Sequence, residues 1–402
     1  MSLALNGGKP TRTKPWPTWP NYDERELKAL EEVLKSRFWG GGVEDSGPKE
    51  KEFEEKFSQY HGCSHGVCVS SGTTALYVAL LAVGIGPGDE VIAPALTFWA
   101  TGSAVLMTGA TLVIVDVDPD SYCMDFREVE KNVTNKTKAI ISVYNYGNAP
   151  DMDKILEISK ENNVALIEDC ARAHGFMWKE KPAGSIGDLG CFSFQQSKFM
   201  TAGEGGIVIT NNELYAERCK AIRTCGRVKE NDVYRVGIDY WLNWWNFRMT
   251  QFQAAILLVQ LERLEEQLKI RQENCEYLNK RLGEIEGISP LKIDSRLTKY
   301  QPWPYLFKYD SKSFRGVSIR KFIEALNAEG IPCGGLDHPP ISMTLSAHLS
   351  SARIVRKPKY PVAERAIQES VTLPQYLFLG TKEDMDTIAE AIEKIKKHSN
   401  EL

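Results

Sequence analysis

Residues 66–84, GVCVSSGTTALYVALLAVG, change character at their middle. Gly66–Val69 reads as a short apolar strand. Gly72 then allows a close backbone approach, and from Thr73 the chain turns into a helix. The same change recurs on moving outward. EVIAP (90–94) reads as a strand and is followed by a helix over about 99–108. TLVIVDV (111–117), AIISVY (139–144) and VALIED (164–169) read as further strands, with the helix DMDKILEISKENN between the last two. In FSFQQSKFMTAGEGG (192–206), Phe192–Phe194 is a strand, a polar turn presents Lys198, and glycines lead into the strand Ile207–Thr210. Strands alternating with helices predict right-handed βαβ units and an α/β fold with a mostly parallel sheet between helices.

The flanks give the domain organisation. A Pro/Trp-rich arm occupies residues 1–22. Residues 23–36 show helical spacing through Leu27, Leu30 and Leu34, and open a large domain over 23–265. The long helical stretch 251–283, apolar at Ala254, Leu257, Leu258, Leu261, Leu264 and Leu268, leaves that domain for a smaller C-terminal α/β domain over 266–402. The smaller domain reads as strand (YLFKYD), helix (RKFIEALNAEG), strand (IPCGG) and a last helix, KEDMDTIAEAIEKIKKH.

At 402 residues the chain is long enough for two domains with large cores. A net charge of -4, with a quarter of the residues charged, gives no electrostatic footprint for nucleic acid and no polybasic membrane patch. No apolar run of about 18 residues is present, so no bilayer span is expected. The start, MSLALNGGKPTRTKPWPTWP, lacks a cationic leader with an apolar core, so a cytoplasmic location is expected. The nine cysteines and six histidines are scattered, without CxxC or metal-ligand spacing. The cysteines read as reduced, buried small hydrophobes, and no metal is expected.

Four features bear on chemistry. SSGTT (70–74) places a helix N-terminus after a strand, which is either a phosphate site or an ordinary Ser/Thr cap. Asp169 closes the strand VALIED, where an acid of an open parallel sheet faces a ligand or simply caps a turn. Phe98 and Trp99, just past EVIAP, stack on a planar ring or belong to the core. Lys198 is either a solvated surface lysine or an amine nucleophile of the kind that forms Schiff bases. Pyridoxal phosphate needs a phosphate-holding helix start, an aromatic, a strand-end Asp against its ring nitrogen and a lysine, and all four occur in order on one sheet. The cluster Trp241, Trp244, Trp245 and Phe247 is either core or stacking surface. Its polar members are Asn246 and Arg248, the latter a carboxylate binder or one half of an exposed ion pair.

These motifs carry a family resemblance. SGTTALYVALLAVGIGPGDEVIAPALTF, IEDCARAHG, GDLGCFSFQQSK, TAGEGGIVITN, NFRMTQFQAAI and PVAERAIQESVTLP resemble, in order and spacing, the DegT/DnrJ/EryC1/StrS aminotransferases. Those are pyridoxal-phosphate enzymes of the fold type I (aspartate aminotransferase) class that act on keto-sugars and keto-cyclitols. The resemblance implies that Lys198 is the Schiff-base lysine, Asp169 the pyridinium partner and Phe98 the ring-stacking residue. It implies that Gly72, Thr73 and Ser193 hold the phosphate, and that Asn246 reaches it from a neighbouring subunit of a homodimer with shared active sites. Two positions depart from the family: Arg172 stands where Gln or His usually meets the cofactor's phenolic oxygen, and Cys170 stands where Ala is common.

The expected function is therefore amino transfer from glutamate or glutamine to a keto-sugar, often nucleotide-linked, or to a keto-cyclitol. Lys198 argues against the family's dehydratases, which carry histidine there, and the cysteines offer no iron–sulfur motif. QQSK resembles the enzymes that aminate scyllo-inosose-type cyclitols. QxxKxMTAGEGG and the PxWPxYD start resemble 3-amino-5-hydroxybenzoate synthase, an aromatising lyase, which is one alternative. A non-catalytic regulatory protein that binds pyridoxal phosphate is the other.

Overall fold

The structure, a computed structural model, describes residues 2–41, 46–226, 245–336, 353–355 and 359–402. Its large sheet takes β1 (His65–Val69), β2 (Glu90–Pro94), β3 (Thr111–Val115), β4 (Thr137–Val143) and β5 (Ala165–Asp169). A short hairpin of β6 (Met177–Trp178) and β7 (Lys181–Pro182) then lies outside the sheet, paired with Leu297–Lys299. The chain re-enters the sheet through β8 (Leu189–Ser193) and β9 (Gly206–Thr210). The strand order is β1-β9-β8-β5-β4-β2-β3, with Ile354–Val355 beside β3. β9 is antiparallel to both its neighbours, and the other pairs are parallel. The mostly parallel α/β sheet expected from the sequence is what forms.

The helices fall on both faces. α1 (Glu24–Ser36) and α2 (Pro48–Tyr60) precede the sheet, and α3 (Gly72–Ala82), α4 (Trp99–Met107), α5 (Phe126–Asn132), α6 (Met152–Glu161) and α7 (Glu213–Arg223) connect its strands. One core joins Phe53 and Phe57 of α2, Ile155 of α6, and Leu257 and Leu264 of the long helix Gln251–Gly283. The other joins Leu76 and Leu80 of α3, Val105 of α4 and Ile222 of α7. Burial on both faces explains why the parallel strands read as unbroken apolar runs.

A second, four-stranded antiparallel sheet has the order Ile288–Pro290, Tyr305–Tyr309, Ser370–Leu373, Gly334–Gly335. The N-terminal arm packs along this unit. Glu329 accepts from the Ala4 and Thr11 N–H groups, Arg12 pairs with buried Asp384 at 2.7 Å, and the Trp16 Nε1 donates to the Gly330 carbonyl. The expected division at 265/266 falls inside the continuous helix Gln251–Gly283, and Ile354–Val355 joins the large sheet.

One local expectation is corrected, and one helix takes an orientation that its apolar spacing did not specify. IPCGG pairs only at Gly334–Gly335, because Pro332 has no N–H to give a ladder. The apolar stripe on α1 does not face the core: Leu27 and Leu34 are 50% and 52% exposed, while Glu26 and Val33 are buried. Arg263 draws Glu26 inward at 2.7 Å, and Gln260 donates to the same carboxylate.

Candidate active site

The carboxyl ends of β5 and β8, the start of α3 and the turn after β8 meet around one cavity of about 460 Å³. Ser71, Gly72, Thr73, Phe98, Asp169, Arg172, Ser193 and Lys198 all line it. The structure thus gathers eight side chains or backbone segments separated by more than 120 residues of sequence.

The end of the cavity at the start of α3 is built by close packing. Ser71 caps α3, accepting from the Thr74 N–H at 3.1 Å, and Thr74 Oγ1 accepts from the Ser71 N–H in return. The N–H groups of Gly72 and Thr73 lie in the first turn, where a helix has no internal acceptor for them. A Cβ on Gly72 would stand 2.6 Å from Ser193 Cβ, so only glycine lets the helix start touch the end of β8. Gly206 serves the same end, since a Cβ there would lie 2.3 Å from the Ser71 carbonyl oxygen. Cap and anion site are therefore compatible, with the serine before the glycine doing the capping.

The turn that carries Lys198 is tied at several points. Thr201 Oγ1 donates to the Phe194 carbonyl at 2.8 Å, and the Phe194 N–H donates to the Gly205 carbonyl at 2.8 Å. Gly203 takes φ +82° and Gly205 φ +145°, the left-handed region that glycine adopts without strain. Two distant tryptophans clamp the same turn. Trp303 Nε1 donates to the Ser197 carbonyl at 2.6 Å, and Trp19 Nε1 to the Gln196 carbonyl at 2.9 Å.

Lys198 is half-buried, with Nζ 4.3 Å from the centre of a Trp303 ring. Burial, and then the charge of Arg172, push its amine down to about 7, against the pull of Asp169 and Glu204. Part of the amine is thus unprotonated at neutral pH, the form that a nucleophilic lysine needs. Asp169 is buried, and burial raises its carboxyl. Its Oδ2 accepts from Thr101 Oγ1 at 3.0 Å and its Oδ1 from the Ala171 N–H at 3.1 Å, both opposing that rise.

Phe98 stands at the cavity wall, 38% exposed and 4.9 Å from Trp99 between ring centres. The Arg172 guanidinium donates to Asn145 Oδ1 and lies 4.4 Å from the Trp303 ring centre. Asn246 and Arg248 are not among the described residues that line the cavity of their own chain. Asn246 is exposed, bridged to Thr224, and Trp245 stacks on Phe247 at 5.8 Å. Trp241 and Trp244 lie outside the described residues.

Sequence reasoning did not single out Thr101, Asn145, Trp19 or Trp303. Thr101 sits inside an apolar helix, and Trp303 follows Lys198 by about a hundred residues, so no local spacing marks either one.

A second cavity of about 540 Å³ adjoins the first and shares Thr97, Phe98, Arg172, Ser197 and Trp303 with it. Its far walls come from Trp19 of the arm and from Pro332–Leu336 and Thr372–Tyr376 of the small sheet.

The model of the DegT/DnrJ/EryC1/StrS aminotransferase family matches residues 20–393. An L-glutamine:2-deoxy-scyllo-inosose aminotransferase of Streptoalloteichus tenebrarius is 36% identical, covering 100% of this chain and 99% of its own. The enzyme of that description from Streptomyces kanamyceticus is 35% identical over 98% of this chain and 97% of its own. Among solved structures, a 3-amino-5-hydroxybenzoic acid synthase superposes with a TM-score of 0.85 at 31% identity, covering 96% of this chain and 99% of its own. An aminotransferase from Psychrobacter cryohalolentis superposes with a TM-score of 0.83 at 29% identity, over 94% and 98% of the two chains. The resemblance read from the motifs, and the fold type I architecture that it implied, are borne out.

Proposed function

The chain belongs to the DegT/DnrJ/EryC1/StrS aminotransferase family, and from that premise we propose that it moves an amino group from glutamine or glutamate to the ketone of a cyclitol or sugar. The observation that carries this reading is the meeting, in one cavity, of a lysine whose proton burial loosens, a buried carboxylate and a helix start. The residues fit pyridoxal phosphate: Gly72, Thr73 and Ser193 would hold its phosphate, Phe98 would cover its ring and Asp169 would meet its ring nitrogen. When bound, that cofactor supplies a carbonyl for amines and a sink for electrons.

The chain's own residues do the rest. Lys198 Nζ, partly uncharged near neutrality, would be the nucleophile toward that carbonyl and the base that takes and returns a proton. Asp169, whose carboxylate Thr101 and the Ala171 N–H support against burial, would favour a proton on the ring nitrogen. Trp303 and Trp19 pin the lysine turn.

The names of the glutamine-dependent relatives support glutamine and a keto-cyclitol as the pair. The superposition on the 3-amino-5-hydroxybenzoic acid synthase favours a second reading, an aromatising lyase on the same site. Mass spectrometry of the loaded enzyme with glutamine and a panel of keto-cyclitols and keto-sugars separates the two. Amino product with stoichiometric loss of glutamine supports transfer; aromatic product without donor loss supports the lyase.

A homodimer belongs to this reading. Leu27, Leu34, Phe38 and Trp39 are exposed large apolar side chains within one short segment, of the kind that interfaces cover. Exposed Asn246 would then complete the partner's phosphate site, with Arg248 two residues beyond it. Mixing inactive Lys198→Ala and Asn246→Asp proteins should restore part of the activity, because one site of each mixed dimer carries neither change. Verified mixed dimers without recovery would return Asn246 to its own chain's site.

A further inference from the structure

Arg172 stands at the junction of the two cavities and lines both. Among the described residues that line the outer cavity it is the one charged side chain; the others are rings, aliphatic groups, the Cys333 thiol and neutral hydroxyls and amides. The groups holding its guanidinium are neutral as well. Nη1 donates to the Asn145 side-chain carbonyl, and Cζ lies 4.4 Å from a Trp303 ring centre and 5.8 Å from that of Tyr146. Each support is itself fixed. Asn145 donates to the Leu96 carbonyl, and Trp303 donates to the Ser197 carbonyl. The arrangement orients the cation through neutral groups, and Asp169, across the inner cavity, is the carboxylate that acts on its charge.

Its neighbour is the reactive amine. Lys198 Nζ lies 4.3 Å from the centre of the indole that Arg172 also covers. An amino acid whose nitrogen takes the place of that amine carries its α-carboxylate two bonds away, within the span of one indole. A guanidinium binds a carboxylate through two parallel N–H groups, which fixes the angle of the Cα–H bond as well as affinity. Arg248 lines neither cavity of its own chain among the described residues.

We infer that Arg172 binds the α-carboxylate of the amino donor, and so replaces in this chain the neutral or imidazole contact that the family resemblance puts at its position. The inference rests on the aminotransferase reading above, and the experiment separates the two. The protein loaded with pyridoxal phosphate is mixed with L-glutamine or with L-glutaminamide, whose α-carboxylate is an uncharged amide. Single-turnover spectra then give the half-reaction rate for each donor. The wild type should prefer glutamine about ten- to a hundredfold, the range expected for hydrogen bonds to a charged group. Arg172→Gln should lose that preference, and Arg172→Lys should keep part of it.

A binding measurement runs beside the rates. α-Methyl-L-glutamine has no α-proton to lose, so calorimetry reads its affinity, and that of its α-carboxamide, without turnover. Preference for the carboxylate that vanishes in Arg172→Gln supports the assignment even if neither donor turns over, a result that would sink the aminotransferase reading alone. Preference that survives Arg172→Gln in both measurements overturns the assignment. So does preference lost in Arg248→Gln and kept in Arg172→Gln. Should the glutamine variant fail to fold, Arg172→Met carries the same comparison.

Discussion

Glu168 and Asp169 are adjacent carboxylates at the end of β5, both buried, and they have opposite surroundings. Side chains alternate along a strand, so the pair points to opposite faces of the sheet. Glu168 Oε1 accepts from the Ile186 and Gly187 N–H groups at 2.7 Å, and Oε2 from the Gly184 N–H at 2.9 Å and Tyr144 hydroxyl at 2.8 Å. Its lone pairs are spent on holding a loop. Asp169 has two donors, Thr101 and the Ala171 N–H, and faces a cavity. Burial raises both carboxyls. The lesson is that burial alone does not mark a functional acid; burial with unspent acceptors toward open volume does.

The sharpest contrast lies across the cavity. Lys198→Ala should abolish turnover while leaving the circular dichroism of the fold unchanged, because the turn is held by backbone bonds and Thr201, independent of the amine. Retained turnover would mean that the cavity does not host the reaction.

The next largest effect falls on the saturated acid. Glu168→Ala leaves three backbone N–H groups without their acceptor, each worth about 1–3 kcal/mol when buried. Urea denaturation should show a loss of several kcal/mol. A wild-type midpoint would erase the contrast between the two acids.

Asp169→Asn should do the reverse. The denaturation midpoint should move little, while the transition state loses about 2–4 kcal/mol, the usual cost of removing one preorganised electrostatic partner. Near wild-type amino transfer by this variant would make Asp169 a second structural acid.

The smallest effect concerns Lys198 in the cofactor-free protein. Its amine titrates at about 7 when folded, against an ordinary 10.5 when unfolded. Between those values the unfolded chain binds the extra proton, so this lysine's penalty on folding is largest below pH 7 and fades as pH rises toward 10.5. Lys198→Met should therefore melt above the wild type at pH 7, with the gap narrowing at higher pH. A gap that is constant with pH would mean an unperturbed amine.

How much of this was legible in the sequence depended on distance along the chain. The parallel sheet, Asp169 at a strand end and Lys198 between strand and glycines are local patterns, and they stand where the sequence put them. The stripe Leu27–Leu30–Leu34 gave the helix but not its orientation, because Glu26 is drawn inward by an arginine more than 230 residues away. α2 went unforeseen, since PKEKEFEEKFSQY is mostly charged and only Phe53 and Phe57 supply an apolar spacing. Thr101, Asn145, Trp19 and Trp303 act through tertiary contacts, and nothing in their own neighbourhoods announces it.

The central claim is that Lys198 is the amine that captures the cofactor. Borohydride reduction of the protein loaded with pyridoxal phosphate, followed by proteolysis and peptide mapping, tests it without reference to any substrate. The account predicts a phosphopyridoxyl label on Lys198, in the peptide containing QQSKFMTAGEGG, and its loss in Lys198→Ala. A stoichiometric label on another lysine, with Lys198 unmodified, would contradict it.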